Sequence, residues 1–190
     1  MNPSLIEQKE FTRIDFSKDR LSNDEYENCT FTNCVLSNAD LSNIIFSECT
    51  FAGCDLSMIV MKNTAVRNVA FTGCKLLGVH FEYCNSLSFS AAFENCILNL
   101  SSFYKLSMKK TQFRKCSLQE VDFAECDLSG SLFDNCDLAK AKFDRTLLKK
   151  ADFRTSYNYS IDPDINNVKQ AKFSAAGVIG LLDKYDIQVL

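Results

Sequence analysis

The sequence is poor in the residues that most enzyme chemistry needs. It holds a single histidine, His80, so no Ser/His/Asp or Cys/His set can be assembled except around that side chain, and glycine-rich phosphate loops are absent. Neither an enzyme nor a cofactor is expected. No apolar run approaches eighteen residues, and Met1–Glu10 shows no basic, apolar, small-residue leader. The chain therefore reads as cytoplasmic, neither secreted nor spanning a membrane. Its net charge is only −3, with 24% charged residues, so bulk composition names no partner. Only two prolines occur, Pro3 and Pro163, and both lie outside the pattern described next, where a missing N–H breaks no ladder bond.

What the chain has is a period of five. A large apolar residue returns at Phe93, Leu98, Phe103, Met108, Phe113, Leu118, Phe123, Leu128, Phe133, Leu138, Phe143, Leu148 and Phe153. The same repeat fills the first half one register earlier, from Phe11 and Phe16 through Phe71, Leu76 and Phe81. Two residues before each sits a small or medium side chain, such as Cys116, Val121, Cys126, Ser131 or Ala141. A helix repeats its apolar stripe at three and four and a strand at two, so five fits neither alone. It fits a three-residue strand, with positions i−2 and i inward and i−1 outward, followed by a two-residue corner. Such a chain must coil, and its coils must stack to bury anything, which predicts an all-β solenoid of the parallel β-helix kind in one domain.

The corners agree. Position i+2 is Asn at residues 23, 28, 33, 38, 43, 63, 68, 95 and 135 and Gly at 53, 73, 78 and 130, the two types that enter left-handed backbone at least cost. Lys9, Asp19 and Asp24 at inward positions predict a frayed or capping first coil before about Tyr26. Phe81 and Phe93 are twelve apart, so the register slips by two and Cys84–Ala92 is a bulge, a short loop or a junction of two stacks. Phe89 is the one phenylalanine outside position i. After Phe153 a linker, Tyr157 to Asp164, precedes one more unit at Ala171-Lys172-Phe173. Ser174 then caps a predicted helix over Ala175–Tyr185, with an apolar tail from Ile187 to Leu190. The expected divisions are 1–25 for the cap and first coil, 26–156 for the repeats with the shift at 84–92, and 157–190 for linker, last repeat and C-terminal dimerisation helix and tail.

The ten cysteines all occupy position i−2, which makes their placement structural. Pairs five apart, such as Cys29 and Cys34, do not match zinc spacing and lack histidines to complete a site, so no metal is expected. Cys116 and Cys136 would stack ~4.8 Å apart if four repeats make a coil, but parallel side chains point the wrong way for a disulfide.

Charge is segmented along the chain. Residues 21–60 carry −6, residues 61–115 carry +6, residues 116–139 carry −6 and residues 140–155 carry +4. One reading is a set of solvated faces. The other compares densities: six charges over two coils of ~10 Å approach the one per ~1.7 Å of duplex DNA.

Ala39-Asp40-Leu41, Cys126-Asp127-Leu128-Ser129-Gly130, Ala141-Lys142-Phe143 and Ala151-Asp152-Phe153 resemble the A-[D/N]-[L/F]-x-x motif of pentapeptide-repeat proteins, over roughly residues 11–173. The resemblance implies a right-handed quadrilateral parallel β-helix with four repeats per coil and a short C-terminal α-helix. Ile161-Asp162-Pro163 followed by Ala171-Lys172-Phe173 and an apolar ending is similar to the quinolone-resistance group, the Qnr and MfpA types. That likeness implies a homodimer built through the C-terminal helix, a DNA-mimicking rod that binds DNA gyrase and topoisomerase IV, and antibiotic resistance, with no direct contact to nucleic acid or membrane. Of the two projecting loops of the plasmid Qnr type, only Cys84–Ala92 has a counterpart here, whereas the MfpA type has none. The partner-binding acidic surface would be Asp40, Glu48, Asp55, Glu120, Asp122, Glu125, Asp127, Asp134 and Asp137. The dimer interface would be Val178, Ile179, Leu182, Tyr185, Ile187 and Val189. The alternative is a structural or scaffolding module for another protein partner. A continuous acidic side would separate the two.

Overall fold

A computed structural model of the chain describes residues 4–18, 20–22 and 24–188. In chain order its strands are β1 (Leu5–Glu7), β2 (Glu10–Thr12), β3 (Glu25–Glu27), β4 (Thr30–Thr32), β5 (Ile45–Ser47), β6 (Thr50–Ala52), β7 (Ala65–Arg67), β8 (Val69–Thr72), β9 (Ala91–Glu94), β10 (Gln112–Arg114) and β11 (Leu132–Asp134). All pairings between these strands are parallel and join residues one coil apart, as Phe31 joins Phe51 twenty positions on. The chain is thus an all-parallel β solenoid whose twenty-residue coil has four sides. The first side carries β1, β3, β5 and β7, and the second carries β2, β4, β6, β8, β9, β10 and β11. On the third, single bridges run through Asp15, Val35, Asp55, Lys75, Ile97, Ser117, Asp137 and Tyr157; on the fourth, Asp40 bridges Val60, and His80, Ser102, Asp122 and Lys142 form a column.

Position i fills the interior with stacked rings. On the second side they run from Phe11 to Phe173, with centroids 4.5 Å apart for Phe133 and Phe153 and 5.4 Å for Phe153 and Phe173. On the fourth, Phe103, Phe123 and Phe143 stack at 5.5 and 5.4 Å. Adjacent columns meet edge to face, as Phe113 and Phe123 do at 76°, the arrangement the ring quadrupoles favour.

Position i−2 does more than stay small. Its side chain donates to the carbonyl of a position-i residue in the coil below: Thr64 Oγ1 to Leu41 O at 2.8 Å, Ser131 Oγ to Met108 O at 2.9 Å, Ser156 Oγ to Phe133 O at 2.7 Å. Cysteine makes the longer sulfur version, as from Cys54 Sγ to Phe31 O at 3.3 Å. The bond adds a donor at carbonyls outside the inter-coil ladder, some of which, such as Leu41 O and Met108 O, also accept a corner amide, and this favours Cys, Ser and Thr at a position where alanine would also fit. All ten thiols are free and buried. Burial pushes Cys49 up to about 11 and Cys84 and Cys126 up to about 12.

The corners are left-handed far beyond the Asn and Gly positions. Met58, Leu100, Lys105, Lys110, Glu120, Glu125 and Lys150 all have φ between 56° and 62°. Each of these corner amides donates to the next coil, as Lys110 N does to Ser129 O at 3.0 Å. Many corners are also tied by an aspartate at i−1 whose Oδ1 accepts the amide two residues on: Asp40 from Ser42, Asp55 from Ser57, Asp127 from Ser129, Asp152 from Arg154.

The irregular stretches depart from expectation in three places. The first coil is already in the ladder, since β1 pairs with β3 and β2 with β4 in register. Lys9 is exposed, and Asp24 accepts from Ser4 N at 3.1 Å, so neither charge enters the core; Asp19 and Asn23 lie outside the described residues. In the slip, Phe71 pairs with Phe93 and the second-side sheet continues unbroken, while a 3-10 turn at Phe81–Tyr83 forms the fourth-side corner and another at Ser86–Ser88 interrupts the first side. Asn85 N donates to Thr64 O and Ser90 N to Val66 O, pinning both ends to the coil below. Phe89 is no outlier: it lies in the core edge-on to Phe81 at 5.8 Å, while Leu87 is 97% exposed.

At the other end, the predicted α-helix is replaced by two 3-10 segments, Gly177–Leu181 and Asp183–Tyr185. Ser174 Oγ does accept the Gly177 amide at 2.9 Å. Gly177 and Gly180 press against Tyr159 so closely that a Cβ on either would come within 2.1 Å of its hydroxyl or carbonyl oxygen. Two such glycines also weaken helix propensity, so docking on Tyr159 decides the backbone.

Phe123→Ala, which removes a fully buried ring stacked on both sides, is expected to lower stability by about 3–5 kcal/mol in denaturant titrations. Acid should act through the corners. Hydrogen bonds from Ser42 hold Asp40 below the ordinary carboxylate range, as those from Arg154 hold Asp152; burial alone would raise Asp55 and Asp127, but bonds from Ser57 and Ser129 outweigh it. A depressed folded-state value stabilises the fold above the unfolded carboxylate pKa of about 3.9 and loses that stabilisation as pH falls through the folded values. The melting temperature is expected to hold from pH 7 to about 5 and drop below about 4. Asp40→Asn with Asp152→Asn, which keeps the accepting oxygen without the titration, should flatten that drop.

Candidate interaction surface

Outward side chains arise at i−1, i+1 and the i+2 corner, so whatever binds this solenoid meets those positions. The nine acidic residues singled out from the sequence occupy all four sides. Asp55 and Asp137 stand on the third side with Glu120 at its corner, and Asp40 and Asp122 on the fourth with Glu125 at its corner. Asp127 belongs to the first side with Glu48 at its corner, and Asp134 ends β11 on the second. The coil brings no continuous acidic line together.

Stacking instead sets the charged segments against each other. Because the acidic block at 116–139 is about one coil long and basic blocks flank it, its acids lie between bases of the coils above and below. Lys105 reaches Glu125 at 3.6 Å and Arg145 reaches it at 3.4 Å, Lys142 approaches Asp122 at 3.6 Å, Lys109 approaches Asp127 at 3.2 Å, and Arg114 approaches Asp134 at 3.8 Å. Asp55 meets Lys75 at 3.7 Å. Such exposed pairs contribute at most about 1 kcal/mol each, but they neutralise the carboxylates locally. Asp40, Glu48, Glu120 and Asp137 have no base within ion-pair distance among the described residues; Asp137 is held by Gln119 Nε2 at 2.6 Å and Glu48 by Asn68 Nδ2 at 2.7 Å. Asp40, Asp55, Asp127 and Asp137 also tie corners, a role the pattern of charge did not reveal although the spacing Asp-x-Ser or Asp-x-Ala would have.

A second feature went unread. Outward positions on the third and fourth sides carry exposed Val35, Met58, Val60, Ile97 and Leu100, an apolar ridge that Asp55 and Lys75 interrupt between Val35 and Ile97. It was legible as large aliphatic residues at i−1 or i+2.

At the C-terminal end Leu181 packs against the core and Ile161 N donates to Gly180 O at 2.9 Å, so the two 3-10 segments close the last coil. Lys184 pairs with Asp162 at 2.7 Å and also with Asp164. Val178, Ile179, Tyr185 and Ile187 are left exposed and Leu182 half-buried, so the candidate dimer residues form an apolar surface although the helix expected to align them is absent; Val189 lies outside the described residues. His80 Nδ1 lies 2.8 Å from Glu82 Oε1, with the Tyr83 ring beside it. Among the described residues no cluster of His, Cys, Asp or Glu is arranged to hold a metal, and no helix is long and apolar enough to cross a membrane.

The profile of the pentapeptide repeat region matches residues 24–90 and 87–157. No curated protein matches the chain. Among solved structures, the chain is similar to a trypsin-treated form of QnrB1, a plasmid-mediated fluoroquinolone resistance protein, with 20% identity, a TM-score of 0.64, and 99% of this chain and 98% of that one covered. Full-length QnrB1 gives a TM-score of 0.52 at 20% identity, covering 97% and 100%. At that identity the likeness speaks for the fold, and the repeat profile spans well over half of the sequence. With its five-residue period, four-sided coil and matching profile, the chain belongs to the pentapeptide-repeat family.

Proposed function

We propose that this protein is a non-enzymatic rod that binds a type II topoisomerase, DNA gyrase or topoisomerase IV, in the cytoplasm and lowers quinolone susceptibility. The observation that carries this reading is end-to-end likeness in fold to QnrB1, with 99% and 98% of the two chains covered. DNA mimicry in this reading rests on Asp40, Glu48, Glu120 and Asp137, which have no base within ion-pair distance among the described residues and are spread over the first, third and fourth sides rather than along one continuous acidic side. The exposed apolar surface at Val178, Ile179, Leu182, Tyr185 and Ile187 supports a homodimer that doubles the length of the rod.

A second reading, a scaffolding module for a different protein, is favoured by the interleaved ion pairs and by the ridge of Val35, Met58, Val60, Ile97 and Leu100. Such a ridge suits a protein surface better than a duplex-binding groove.

A supercoiling assay separates the two. Under the first reading, micromolar protein changes gyrase activity or relieves its inhibition by ciprofloxacin; no change in either would leave the scaffold. Leu182→Glu places a charge in the apolar end surface and is expected to give monomers by light scattering, while a persisting dimer would remove that interface.

A further inference from the structure

The first side is polarised from end to end in a way the linear charge blocks conceal. Below the Ser86–Ser88 turn it carries Glu7, Glu25, Glu27 and, at the corner, Glu48, against the single base Arg67, which pairs with Glu25 at 3.4 Å. That half is −3. Above the turn, chain order places Lys109 and Lys110, then Lys149 and Lys150, then Lys169 on the same side, against Asp127, which Lys109 occupies at 3.2 Å. That half is +4, and all five ammonium groups belong to exposed residues. The backbone lines them up in one column, with Ser129 and Gly130 as the one uncharged level between: Lys110 N donates to Ser129 O, Gly130 N to Lys149 O and Lys150 N to Lys169 O.

The two halves cannot neutralise each other within one chain. Glu27 and Lys149 are six coils apart, ~29 Å at ~4.8 Å per coil, well beyond a Debye length of about 8 Å at physiological salt. The turn between them lies three coils above Glu27 and three below Lys149, and it lifts Leu87, 97% exposed, off the side at that midpoint.

We propose that this side is a docking surface for a second copy of the chain, laid antiparallel about a two-fold axis through the 86–88 turn. That axis sets Glu27 of one copy opposite Lys149 of the other and Glu7 opposite Lys169, each pair twice. It also brings the two Leu87 side chains together at the centre, where the most exposed apolar group of the side, 97% exposed against 51% for Leu5 and 42% for Leu147, meets its own copy. The register follows from strand geometry, since positions i+1 keep their lateral place when one rod is turned end for end. Arg67 and Lys109 meet at like sign, but each is already held by its own carboxylate. The contact is independent of the C-terminal surface, so the two together would join rods side by side as well as end to end.

Sedimentation of the Leu182→Glu chain, in which the end surface is disabled, tests this directly. Association is expected at 50 mM salt and at least tenfold weaker at 500 mM. Glu7→Lys/Glu27→Lys/Glu48→Lys makes both halves basic, and Lys109→Glu/Lys149→Glu/Lys150→Glu makes both acidic; each alone should lose self-association while retaining its β circular dichroism. Mixed in equal amounts they should associate with each other, a rescue that misfolding or a generic charge effect would not give. Leu87→Asp should weaken the unreversed chain at least tenfold. Monomers at low salt for the unreversed chain, or no association in the mixture, would overturn the proposal. So would tight binding of a short DNA duplex by the unreversed chain that only the lysine reversals abolish, which would make the lysines a polyanion site.

Discussion

Every other feature of this molecule depends on one constraint. A coil of twenty residues cannot satisfy its own backbone, so its N–H and C=O groups must find partners in the coils above and below. The inter-coil bonds, from Glu25 N to Ser4 O at one end to Lys172 N to Ala151 O near the other, fix the stacking distance. Once that distance is fixed, a residue at position i must fill the same space as its counterpart one coil away, and flat rings do so best. The same constraint explains the polar residues at i−2, which reach the carbonyls that the backbone ladder leaves unmet. It also explains why lysine, glutamate and leucine accept left-handed corners: the inter-coil amide bond offsets the local strain.

Stacking also governs the surface. Charges far apart in sequence become neighbours when their separation is near twenty, and this turns most of the acidic block at 116–139 into a mosaic of ion pairs. Where the separation is not near one coil, charge survives unpaired, as it does at the two ends of the first side. The electrostatic character of the rod is therefore a property of coil length as much as of composition. The two-residue insertion at 84–92 matters for the same reason. It interrupts one side yet leaves the second-side sheet in register from β8 to β9, so the interior columns on either side stay aligned.

Much of the interior was legible in advance. Phe11 to Phe173, the i−2 cysteines and the Asn and Gly corners follow from a five-residue period that no helix or long strand can satisfy. The first coil was less legible, because Lys9, Asp19 and Asp24 at inward positions argue against a ladder that Leu5–Glu7 and Glu10–Thr12 nevertheless form. Phe89 has no place in the periodic rule, yet within the slip of two residues its ring is buried edge-on to Phe81. The C-terminal segment looked helical from Val178, Ile179, Leu182 and Tyr185, but contact with Tyr159 selected tighter turns.

The amino-acid order alone determined the period, the left-handed corners at Asn and Gly, the burial of the rings and the membership of a repeat family, because each of these is written in residues within a few positions of one another. Tertiary structure decided which charges oppose and which remain free, which aspartates serve corners, and how the last residues close the stack. Those outcomes depend on which atoms lie one coil away, and a side chain's neighbours across a coil are set by backbone hydrogen bonding twenty residues distant, modified wherever an insertion changes the count.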